Sequence, residues 1–138
     1  MILIVCIDKN MGMTFNGRRQ SKDSILRERI IQLTSKSKLW MNHYSEKQFN
    51  ETSASHINIS DNLIGDVEKN EYCFIENLNV KEFEEWSQMI ILYHWNRAYP
   101  YDKQFGIDLT KWTCIQTTDF EGSSHAKITE EVYIKNEK

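Results

Sequence analysis

Ile2-Leu3-Ile4-Val5-Cys6-Ile7-Asp8-Lys9-Asn10-Met11-Gly12 decides how the chain is read. The run is apolar without a break as far as Ile7 and then stops at Asp8-Lys9-Asn10. A strand that faces solvent on one side alternates apolar and polar residues. An unbroken run fits a central strand covered on both faces, as in a sheet with helices on either side. Residues 8–21 follow with no period, interrupted by Gly12 and Gly17 and carrying Asn10, Asn16, Arg18 and Arg19, so a long loop is expected. Ser21 is a candidate N-cap, and Asp23 falls where a carboxylate complements the helix dipole. Beyond them Ile25, Leu26, Ile30, Ile31 and Leu33 predict one apolar helical stripe ending near residues 35–38.

At 138 residues the chain has the length of one domain, expected to span 1–138. Apolar residues make up 40% and aromatic residues 12%, which supplies enough buried surface to offset the entropy of ordering. The net charge of -3 gives no overall attraction to nucleic acid or to an anionic membrane. Met1 to Ile7, the longest apolar run, is too short to span a bilayer and lacks the flanks of a signal peptide, so a cytoplasmic location is expected. Cys6, Cys73 and Cys114 share no short spacing and sit in apolar runs. They read as three buried free thiols in a reducing compartment.

Further along, residues 39–41 predict a second strand, and residues 45–49 a short helix that Ser45 can cap. Residues 50–60 are polar, with a weak strand at Ile57-Asn58-Ile59. Tyr72-Cys73-Phe74-Ile75 predicts a strand, and Val80, Phe83 and Trp86, three apart, a short helix. Residues 89–95 are the strongest strand of the second half. Pro100 sits in an aromatic loop, where Trp95, Tyr99 and Tyr101 predict a small satellite core. Residues 112–118 and 128–134 alternate with period two and are joined through Gly122-Ser123-Ser124, which predicts an antiparallel pair at a sheet edge.

The order of these elements and the residues at their joins resemble dihydrofolate reductase over nearly the whole chain. The carriers are Asp8-Lys9-Asn10-Met11-Gly12 after the first strand, Asp23 on the following helix, and Met41-Asn42-His43-Tyr44-Ser45 after the second strand. Glu76-Asn77, the Tyr99-Pro100-Tyr101-Asp102 loop, Ile107-Asp108-Leu109 with Trp112, and Glu131-Val132-Tyr133 continue the match. The resemblance implies an α/β fold: a mixed, mainly parallel sheet flanked by helices, with an antiparallel C-terminal strand pair. It also implies a ligand cleft, with Asp23 as the catalytic carboxylate and Arg18, Arg19, His43, Ser45 and Tyr93 as ligand-binding candidates.

The departures lie on the cofactor side. An arginine and a threonine that the family places near its nicotinamide dinucleotide become His43 and Ser45. Two adjacent glycines, which admit the cofactor by lacking Cβ atoms, become Glu76 and Asn77. The leucine-proline-tryptophan segment before the family's acid becomes Arg18-Arg19-Gln20-Ser21. The leading expectation is therefore a domain of this kind that has lost standard nicotinamide cofactor binding, with no cofactor expected, and that binds a small ring compound or a partner protein. The alternative is an active NADPH-dependent reductase of a pterin or flavin-like substrate. A nucleic-acid-processing protein is disfavoured by the acidity, and a metal enzyme by the spacing of His43, His56, His94 and His125, which form no ligand pair. Ser123-Ser124-His125 lacks the glycines of a nucleophile elbow and reads as a turn.

Overall fold

The computed structural model describes residues 1–49 and 54–136. Residues 50–53 of the expected polar stretch lie outside the described residues. In chain order the strands are β1 (Ile2–Ile7), β2 (Gly12–Phe15), β3 (Arg18–Arg19), β4 (Leu39–Met41), β5 (Ile57–Ile59), β6 (Tyr72–Phe74), β7 (Met89–His94), β8 (Lys103–Gln104), β9 (Trp112–Phe120) and β10 (Ile128–Lys135). The α-helices are α1 (Ser24–Leu33), α2 (His43–Glu46) and α3 (Leu63–Asp66), with 3-10 turns at Lys47–Phe49, Val80–Trp86 and Leu109–Lys111.

Seven strands form one sheet in the order β5-β4-β6-β1-β7-β10-β9. β1 lies centrally and pairs in parallel with β6 and β7, as its unbroken apolar run predicts. Leu3, Val5 and Ile7 enter one core cluster with Phe83, Ile90 and Leu92. Ile4 enters the other, with Leu26, Ile30, Phe74 and Tyr93. Burying both faces removes the alternation that would mark a half-exposed strand. β10 runs antiparallel to β7 and to β9, which is the expected C-terminal pair, with a register shift between Val132 and Tyr133. No helix among the described residues is long and apolar enough to cross a membrane.

Several local expectations are corrected. Residues 8–21 are not all irregular: β2 and β3 form a hairpin that joins β8 in a separate three-stranded sheet. Asn16 and Gly17 make its turn with φ of 53° and 73°. That pair of left-handed conformations is what a tight hairpin turn requires, and Asn-Gly is its usual sequence. The N-cap of α1 is Asp23 and not Ser21. Only Leu26 and Ile30 of the apolar stripe are fully buried, while Ile25 and Leu33 are exposed. Each buried aliphatic side chain contributes about 2 kcal/mol of transfer free energy, so these two carry much of the packing of α1. α2 is capped by Asn42, whose side chain accepts from Ser45 N, and Ser45 Oγ has no partner among the described residues. Val80–Trp86 is 3-10 rather than α-helical, consistent with its three-residue spacing. Cys73 is buried, its thiol pushed up to about 12 chiefly by burial, whereas Cys114 is exposed on β9.

Candidate functional site

The first turn of α1 and the 122–125 turn meet at Asp23, and Trp95, just past the end of β7, stacks on His125 beside it. Asp23 is buried, and its backbone at φ -154° and ψ 127° is extended, which puts the carboxylate over the helix end. Its Oδ1 accepts from Ile25 N at 3.0 Å, Leu26 N at 3.2 Å and Ser123 N at 2.9 Å. Its Oδ2 takes Ser124 N at 2.8 Å, Ser124 Oγ at 3.2 Å and His125 Nδ1 at 3.0 Å. Burial alone would raise the carboxyl pKa. The amides of Ser124, Ser123 and Leu26, with His125, outweigh burial and hold it well below the usual carboxylate range.

The close approach depends on Gly122. A Cβ there would meet Asp23 Oδ2 at 2.3 Å and Ile128 Cδ1 at 2.8 Å, both inside the packed region. Gly122→Ala is expected to cost about 2 kcal/mol, within the range for overpacking, measured by urea denaturation. A variant as stable as the parent would show that the turn shifts without loss.

His125 links this carboxylate to the loop. With Asp23 ionised, Nδ1 carries a proton toward it, and Nε2 faces Ser21 Oγ at 3.1 Å and Tyr99 OH at 2.9 Å. Trp95 stacks on the imidazole at 4.4 Å. Hydroxyl, imidazole and carboxylate thus stand in the order of a nucleophile, base and orienting acid. Access argues against that use: the His125 side chain is 1% exposed, Tyr99 shares Nε2, and the space at Ser21 is a cavity of about 10 Å³, the size of a single water site. The set acts as a clasp that ties the 8–21 segment to the C-terminal hairpin.

A second network closes the gap between that segment and the 75–77 turn. Arg19 Nε donates to Glu76 Oε2 at 2.9 Å, and its Nη2 to Oε1 at 3.1 Å, a bidentate pair. The Arg19 guanidinium lies over the Tyr44 ring at 4.4 Å, and Arg19 N donates to Tyr44 OH at 2.7 Å. Gln48 Nε2 adds a bond to Glu76 Oε2 at 2.9 Å, and Asn42 Nδ2 bonds Asn77 Oδ1 at 2.9 Å. Three walls, supplied by β3, by α2 with the 3-10 turn after it, and by the turn after β6, are therefore joined by side chains. The cavity of about 10 Å³ among Cys6, Met13, Arg19, Ser21, Gln48 and Glu76 is what lies between them. On the far side of the segment Asp8, also buried, accepts from Asn10 N, Gly12 N, Gln20 Nε2 and Tyr99 N and fixes the loop to the 96–102 connection.

The site candidates separate accordingly. Asp23 and Arg19 come together, lining one open pocket of about 490 Å³, whereas Arg18 is exposed and lines another of about 570 Å³ with Tyr99 and Pro100. His43 stands on the surface, paired with Asp61 at 2.8 Å. Ser45 is buried, and Tyr93 is fully buried with its hydroxyl donating to Glu130 at 2.8 Å. Sequence reasoning missed His125, Tyr99 and Gln48. Tyr99 reads only as part of an aromatic loop and His125 only as part of a turn, and neither they nor Gln48 lie near Asp23 or Glu76 in the chain. Among the described residues no group of His, Cys, Asp and Glu could hold a metal ion.

The sheet order, the helix entering at Asp23 and the antiparallel C-terminal pair define a divergent dihydrofolate reductase-like fold. Among solved structures the chain is similar to the dihydrofolate reductase from Enterococcus faecalis, a structure complexed with NADP(H) and RAB-propyl. The TM-score is 0.67 and the identity 15%, covering 99% of this chain and 96% of that one. No protein-family model matches the chain, and no curated protein matches it.

Proposed function

We propose that this chain uses a dihydrofolate reductase-like scaffold to bind a small molecule, without holding a nicotinamide dinucleotide in the manner of that family. The observation that carries the reading is the Arg19–Glu76 pair, which together with Tyr44 and Gln48 fills the space between β3 and the 75–77 turn. Glycines at that turn would leave bare backbone for a ligand to approach. Glu76 and Asn77 instead put side chains there, and the carboxylate of Glu76 is itself satisfied by Arg19 and Gln48. A dinucleotide would have to break a bidentate, largely buried ion pair to enter and would face an anionic group once inside. The residues present do not fit that cofactor in that pose.

Asp23 supports the same reading. A carboxylate that serves a pterin-like ring needs free acceptor positions on its cleft side, and its function in proton transfer calls for a pKa raised toward neutrality. Asp23 has six donors already and a lowered pKa. Its role here is to cap α1 and hold the 122–125 turn.

The second reading, an active NADPH-dependent reductase, is favoured by the likeness to a reductase solved with NADP(H). The two are separated by following NADPH absorbance with dihydrofolate and the purified protein. The proposal predicts no oxidation above the protein-free rate. Dihydrofolate-dependent oxidation that scales with protein concentration would overturn it.

A further inference from the structure

We propose that the pocket beside the start of α1 is a binding site for a phosphorylated small molecule; this rests on the reading of the chain as a small-molecule binder and names the ligand class. The pocket, of about 490 Å³, is lined by Arg19, Lys22, Arg27, Lys47, Gln48 and the serines 24, 123 and 124, with Asp23 in its wall. Its volume falls within the usual range for small-ligand sites.

The charge of the wall is the main argument. Of the four cations in the wall, Arg19 is paired with Glu76, which lies outside it. Lys22, Arg27 and Lys47 have no carboxylate partner among the described residues, although the chain carries a net charge of -3. The one carboxylate in the wall, Asp23, has its acceptor positions taken by six donors, and it keeps its negative charge. Lys22, Arg27 and Lys47 against the one charge of Asp23 leave the wall with a net charge of +2, which matches a phosphate dianion better than the single charge of a carboxylate.

The helix end itself adds nothing to the case. The N–H groups of Ile25 and Leu26 are taken by Asp23, and that of Ser24 donates to Ser123 Oγ at 2.9 Å. Because Ser123 Oγ acts there as an acceptor, its hydroxyl proton remains available as a neutral donor to a ligand. Ser124 Oγ is directed to Lys22 O and Asp23 and is not. A larger groove of about 630 Å³, between the Val80–Trp86 turn and the end of β10, does not share these properties, since Lys81, Lys111 and Lys135 alternate there with Glu82, Glu84 and Glu85. The charges near α1 are gathered in a concavity rather than along a stripe, which favours a small ligand over a nucleic acid backbone.

Calorimetric titration with inorganic pyrophosphate at low salt tests the site in the parent protein, in Arg27→Gln and in Lys22→Gln/Arg27→Gln. Saturable binding to the parent is expected, about tenfold weaker in Arg27→Gln and lost in the double variant, since each charge-assisted bond to phosphate is of the strong class. Circular dichroism confirms that the variants are folded. Absence of saturable binding to the parent overturns the proposal, as does binding that the substitutions leave unchanged. Citrate binding as tightly as pyrophosphate, or a short RNA competing far more strongly than its phosphates at equal concentration, overturns the assignment of ligand class. Neither variant alters Arg19 or Glu76, so the site can fail while the reading of the closed cleft stands.

Discussion

Asp23→Ala is expected to destabilise the protein by about 4 kcal/mol. The helix cap is worth about 1 kcal/mol. The remainder comes from stranding the amides of Ser123 and Ser124 and the imidazole of His125 in a buried turn, at about 1–3 kcal/mol for each unsatisfied group. The melting temperature should fall by roughly 10 °C or more for a domain of this size. Loss of stability should dominate whatever assay is used, as befits a carboxylate that holds structure together. Stability within 1 kcal/mol of the parent would mean that the six hydrogen bonds are not jointly made.

The same residue sets a pH dependence. Its folded pKa lies below the value in the unfolded chain, near 4. The stabilisation is therefore complete above about pH 4 and is lost as the pH falls from there toward the folded pKa. In Asp23→Asn, which keeps one cap oxygen but cannot ionise, this part of the acid limb should flatten when unfolding free energy is measured from pH 6 to pH 2. An acid limb identical to the parent's would assign the linkage to other carboxylates, such as Glu130, whose pKa is also lowered against the pull of burial, by Arg29 and Tyr93.

Glu76→Ala is the second large effect, at about 3 kcal/mol. Removing it leaves the Arg19 guanidinium without its bidentate partner and Gln48 Nε2 without an acceptor, in a region where Glu76 is 8% exposed and Arg19 22%. Arg19 keeps the Tyr44 ring and can turn partly to water, which keeps the loss at the lower end for a broken buried pair. The double variant Arg19→Ala/Glu76→Ala should lose less than the sum of the single losses, and the shortfall measures the coupling. Additive losses would show that the two side chains do not act as a unit.

The fold was legible because it rests on patterns that are local in sequence. The apolar run of β1, the period-two segments of β9 and β10 and the three-residue spacing of Val80, Phe83 and Trp86 each report an element directly. The hairpin of β2 and β3 was not read: residues 8–21 show no period, and its strands, of four and two residues around Asn16-Gly17, are too short to display one. What the sequence could not display was side-chain pairing across long separations. Glu76 and Asn77 stand out as replacements for glycines, but nothing near them indicates that Arg19 and Gln48 would satisfy Glu76 or that Asn42 would bond Asn77. Asp23 reads as a first-turn acid. That it is shared between a helix and a turn a hundred residues later depends on the β9–β10 connection delivering Ser123 and His125 beside it.

Calorimetric titration of NADPH into the Lys22→Gln/Arg27→Gln protein is the most direct test, because it removes two of the cations beside α1 that could hold the cofactor's phosphates outside the cleft. The Arg19–Glu76 closure predicts no saturable heat at millimolar NADPH. Saturable binding at micromolar concentration would contradict it.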